Sequence, residues 1–83
     1  MERRPQTHEL KIQPEYFNEI ANFNKQFELR KDDRDYQIGD FLLLKEFADG
    51  KYTGRTFGCV QIKYILRNCS KYGLMDGYCI LGW

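Results

Sequence analysis

A chain of 83 residues that is 42% hydrophobic has material for one domain with one core, residues 1–83, burying roughly 60–65% of its unfolded surface. A formal net charge of +1 excludes the strongly basic field of a non-specific nucleic-acid binder, so any contact with an anionic polymer has to be local. No stretch approaches the ~20 apolar residues that span a bilayer, and a cytoplasmic location without membrane contact is the expectation.

Residues 1–6, polar and containing Pro5, read as a loose leader. Residues 7–13 alternate polar and apolar and predict a first strand, with His8, Leu10 and Ile12 on one face and Glu9 and Lys11 on the other. Pro14 suits a first helical turn, because its missing N–H has no intrahelical use there. Tyr16, Phe17, Ile20, Ala21 and Phe23 then give the spacing of an amphipathic helix over 14–22. So short a helix does not persist alone in water and must dock on the sheet.

Lys25 to Arg34 is the densest charged run, yet it carries Phe27 and Leu29 at alternate positions. Period-two alternation predicts a strand over 26–31 with Phe27 and Leu29 toward the core and Gln26, Glu28 and Arg30 on a polar face. Asp32 to Asp35 and Gln37 to Asp40 are turns. Phe41 to Leu44 is a continuous apolar run, the mark of a strand covered on both faces and the expected centre of the core. Asp49-Gly50 predicts a hairpin turn. Thr56 to Leu66 reads as one long strand with Val60, Ile62, Tyr64 and Leu66 inward and Gly58 marking a bulge or bend. A loop over 67–76 leads to a last strand over 78–81.

The predicted order is strand, helix and four further strands, an α+β fold. Cys59, Cys69 and Cys79 are odd in number and far apart, with no C-x-x-C pair, so neither a disulfide framework nor a metal site is indicated, no cofactor is expected, and buried or half-buried thiols are.

Lys25-x-x-Glu28-x-Arg30 resembles the end of the G-x-K-x-x-E-x-R signature of ASCH domains, small PUA-like β-barrels associated with RNA. Thr7 to Ile12, Phe27 to Lys31, Arg34 to Tyr36, Gly39-Asp40, Tyr52 to Arg55 and Gly77 to Leu81 extend the resemblance to a compact bacterial and phage subfamily of unknown function. It implies a small β-barrel with one helix packed across the sheet. Phe23 stands where the signature has glycine, which bears on the tight turn before Lys25.

Three function classes follow from these residues. The first is an RNA-binding module with a polar cleft between helix and second strand. Lys25 and Arg30 would meet a phosphate or base edge there, and Glu28 would accept from an exocyclic amine. Lys31, Arg34, Tyr36 and Arg55 supply a basic and aromatic rim, and His8 is a further cleft candidate. The acidic residues Asp32, Asp33 and Asp35 beside them favour a nucleotide or unpaired RNA over a duplex. The second class is a small hydrolase of modified nucleosides or RNA, activities that the ASCH resemblance implies, with Lys25 and Glu28 as base and acid. The deacylating ASCH branch pairs its signature lysine with a threonine, a spacing that Glu28 occupies here, so its triad is not transferable. The third is a phage-type protein-interaction domain that uses exposed aromatics.

Overall fold

The computed structural model describes residues 3–83. Its elements in chain order are β1 (Thr7–Ile12), α1 (Pro14–Ala21), β2 (Phe27–Lys31), β3 (Phe41–Ala48), β4 (Lys51–Gln61), β5 (Tyr64–Leu66) and β6 (Tyr78–Gly82), with one 3-10 turn at Ser70–Tyr72. The strands form two three-stranded sheets, β1-β3-β4 and β2-β6-β5. This is a small α+β fold, and among the described residues the ladders do not close into the predicted barrel.

The Phe41–Leu44 run is the middle strand of the first sheet, parallel to β1 and antiparallel to β4. Leu42 and Leu44 are fully buried and pack with Leu10, Ile12, Phe17, Ile20, Tyr36, Ile62, Cys79 and Leu81 in one core to which both sheets contribute. Asp49 and Gly50, both at positive φ, make the two-residue turn from β3 to β4. β4 carries a bulge at Gly58: Leu42 pairs with Val60 but Leu44 with Phe57. A Cβ at Gly58 would lie 2.6 Å from the Leu42 carbonyl oxygen, and its φ is +121°, so only glycine fits.

Five expectations are corrected. The 56–66 strand starts earlier, at Lys51, and breaks at Ile62-Lys63, where the chain turns from one sheet into the other: the Ile62 N–H donates to the Asp40 carbonyl and the Lys63 N–H to that of Gly82, both at 2.8 Å. That corner shifts the alternation by one residue, so Ile62 is buried, Ile65 packs on the core and Tyr64 points outward. β2 has the predicted period with the opposite phase. Glu28 is 7% exposed and faces inward, whereas Phe27 and Leu29 are 46% and 55% exposed. The inward carboxylate is tolerable because Lys25 and Arg30 both neutralise it. On α1 only Phe17 and Ile20 are fully buried, leaving Tyr16 and Phe23 exposed. Residues 3–6 are tied down rather than loose, through Arg3 and the Gln6 N–H; Met1 and Glu2 lie outside the described residues. Finally, Cys69 is half-buried and Cys79 buried, but Cys59, beside the Gly58 bulge, is exposed.

Two arginines span the gap between the sheets on the side opposite the Ile62 corner. The β1 edge not paired with β3 presents the carbonyls of Glu9 and Lys11. Arg34 donates to the first at 2.7 Å and Arg30 to the second at 2.5 Å. These guanidinium groups occupy acceptors that an exposed strand edge would otherwise offer to another chain.

A basic cleft at the seam between the sheets

The cleft depends on how α1 ends. Asn22 is the C-cap, and Phe23 follows at φ +62°, the left-handed conformation that a glycine would supply. The Phe23 N–H donates to the Ile20 carbonyl at 3.0 Å and the Asn24 N–H to that of Glu19 at 2.9 Å, the paired bonds of a Schellman motif. The turn therefore forms without the signature glycine. It delivers Lys25 to the mouth of a cleft of about 520 Å³ between the end of β1, the start of α1 and β2.

Glu28 forms the floor. One carboxylate oxygen pairs with the Lys25 ammonium, which also donates to the Phe27 carbonyl at 2.8 Å; the other accepts from Arg30 Nε at 3.0 Å. Arg30 thus uses Nε and Nη2, while its Nη1 has no partner among the described residues. The Lys31 side chain makes no hydrogen bond or ion pair among them, while its main chain pairs with Tyr78 of β6. Lys11, Ile12, Gln13, Tyr16 and Leu29 complete the lining. Lys11 Nζ stands 4.5 Å from the Phe47 ring centroid, and Lys25 Nζ stands 5.5 Å from that of Tyr16. Four cationic side chains and a single carboxylate meet here, with one tyrosine at the rim. Such a site attracts an anionic group and offers a planar donor fork and a ring for a base.

Of the residues singled out in the sequence, Lys25, Glu28, Arg30 and Lys31 come together in this cleft. Arg34 lies on the β1 edge instead. Arg55 belongs to another region, pairing with buried Glu46 at 3.1 Å, donating to Asn18 at 3.1 Å and covering the Phe17 ring at 4.7 Å. His8 and Tyr36 are buried in mutual edge-to-face contact, 4.8 Å between centroids, outside the cleft lining. Burial raises the Tyr36 phenol above its ordinary pKa against the opposing influence of Arg34 and Arg30. Lys11, Gln13 and Tyr16 are cleft residues that sequence reasoning missed. Lys11 was legible as polar-face, but its distance from Lys25 was not.

His8 instead joins a second buried carboxylate. Asp40, 1% exposed, accepts from His8 Nε2 at 2.9 Å, from Arg3 at 2.7 and 3.1 Å, and from the Gln6 and Gln37 N–H groups at 3.1 Å each. Burial alone would push this carboxyl up. The Arg3 and His8 side chains and the two amides outweigh it and hold Asp40 well below the usual carboxylate range. Cys79 is not an available nucleophile, since burial pushes its thiol up to about 11 and keeps it protonated near neutrality. Among the described residues no group of acidic, histidine and cysteine side chains has the arrangement of a metal site, and no helix is long and apolar enough to cross a membrane.

The chain belongs to the family described as "Domain of unknown function (DUF3850)", whose model matches residues 7–83. It is also 44% identical over 48 residues to an "Uncharacterized 12.9 kDa protein in GpA 3'region" of Escherichia phage P2. That match takes in 58% of this chain and 44% of the phage protein, so under half of the curated relative is represented.

Proposed function

We propose that the seam cleft binds a nucleotide unit of unpaired RNA. The observation that carries this reading is the concentration of Lys11, Lys25, Arg30 and Lys31 around one carboxylate in a chain whose net charge is only +1. Arg30 Nη1 and Lys31 would meet phosphate oxygens or a base edge, and Tyr16 would lie against a sugar or base. Kinship with ASCH and other PUA-like domains belongs to the same proposal. It is supported by the Lys25, Glu28 and Arg30 triplet converging in space and by two sheets sharing one core.

Fluorescence anisotropy with single-stranded and duplex RNA at several salt concentrations tests the reading. Unpaired RNA is expected to bind more tightly, with a salt slope equivalent to roughly two to four phosphate contacts. Absence of binding to any single-stranded RNA at low salt, in protein shown to be folded, refutes it.

A further inference from the structure

Among the described residues no helix or strand covers the Phe27 and Tyr64 end of the outer face of the β2-β6-β5 sheet; the loop at 73–75 lies against its Leu29 and Tyr78 end. Its register places Phe27 beside Gly82 and Gly82 beside Tyr64, so two aromatic side chains flank a residue that has none. Both are exposed, Phe27 at 46% and Tyr64 at 62%. Two strand spacings set their Cα atoms roughly 9–10 Å apart. Rings rising from the sheet at that spacing would hold a planar ring between them about 5 Å from each, within the roughly 4.5–7 Å at which aromatic rings interact favourably.

Gly82 is not demanded by the backbone, since its φ is not in the left-handed region and a Cβ there would meet only the Tyr64 carbonyl oxygen, at an ordinary 3.7 Å. What its missing side chain leaves open is the floor of the slot. Lys25 joins slot to cleft: its Nζ is 5.0 Å from the Phe27 ring centroid and it pairs with Glu28 on the cleft floor.

We infer that the Phe27–Gly82–Tyr64 slot receives a second, adjacent base of the same unpaired strand, stacked between the two rings while Lys25 meets the intervening phosphate. The inference rests on the RNA reading of the cleft. Stacking on aromatic side chains tolerates any base, so the slot adds affinity and length preference more than sequence preference.

The test compares a single-stranded oligouridine hexamer with uridine monophosphate on three variants, each checked for folding by circular dichroism and for oligomeric state by sedimentation. Gly82→Val fills the slot and Tyr64→Ala removes one wall. Each is expected to weaken hexamer binding about tenfold and to leave monophosphate binding unchanged. Arg30→Lys should weaken both ligands. Hexamer affinity unchanged in Gly82→Val and Tyr64→Ala but lost in Arg30→Lys overturns the slot and leaves the cleft standing. The reverse pattern overturns the cleft, and with it the slot's part as the second site of a strand seated there. A wild-type dimer that Tyr64→Ala dissociates makes this face an interface between copies and overturns the slot, as does failure of the wild type to bind the hexamer.

Discussion

Two inward carboxylates, Asp40 and Glu28, each have two cationic or ionisable side chains for partners, yet they are built for different ends. Asp40 is gripped partly by main-chain amides, from Gln6 and Gln37, which have no rotamers by which to leave, and its own atoms are nearly all out of solvent. Glu28 is held only by the side chains of Lys25 and Arg30, and both of those line an open cleft. The contrast teaches how to tell a carboxylate that fixes a fold from one that holds cations ready. The first is saturated by groups that cannot be redirected, the second by groups that can swing to a ligand.

The largest expected effect is on the Asp40 side. Asp40→Ala removes one partner from a buried charged cluster and should cost about 3–5 kcal/mol in denaturant unfolding. Glu28→Ala should cost less, because Lys25 and Arg30 can regain water through the cleft. Equal losses would erase the distinction.

Acid unfolding sharpens it. Since the folded fold holds Asp40 below its ordinary pKa, the unfolded chain takes up the proton first as pH falls. The stabilisation is complete above about pH 4, near the unfolded carboxyl value, and drains away below it toward the depressed folded value. Asp40→Asn should be less stable at neutral pH and show a flatter acid limb. An acid limb identical to the wild type would place the sensitivity in other carboxylates.

Within the cleft, Arg30→Lys should weaken RNA binding about tenfold, nearly as much as Arg30→Ala, because an ammonium keeps the charge but loses the fork that reaches Glu28, the Lys11 carbonyl and a ligand together. Wild-type affinity in both variants would reduce Glu28 and Arg30 to a structural pair. The smallest expected effect is that of Lys31→Ala, since the Lys31 side chain makes no hydrogen bond or ion pair among the described residues. It should lower affinity by no more than about 1 kcal/mol for every RNA sequence and reduce the salt slope by about one.

Local physics made much of this molecule readable from its residues alone. The Phe41 to Leu44 run marks the central strand, although the structure buries only its Leu42 and Leu44 face and leaves Phe41 and Leu43 half-buried rather than covered; Asp49-Gly50 had to turn because both residues accept positive φ, and Pro14 had to open a helix rather than continue a strand. The triplet Lys25, Glu28 and Arg30 was legible as a unit because i, i+3 and i+5 are close on any compact path. Periodicity gives the spacing of a strand but not its phase. Which face of β2 turned inward was decided by the neighbouring β1 edge, whose open carbonyls take Arg30 and Arg34 and bring Glu28 inside with its counter-ions. The Ile62-Lys63 corner likewise reversed Tyr64, since a chain that passes between two sheets loses one step of alternation. Only tertiary structure could bring Arg3 and His8 onto Asp40, more than thirty residues away, or set Lys11 and Tyr16 across a cleft from Lys31. Those contacts depend on which strands pair, and pairing is settled by the burial of the whole core rather than by any segment's own pattern.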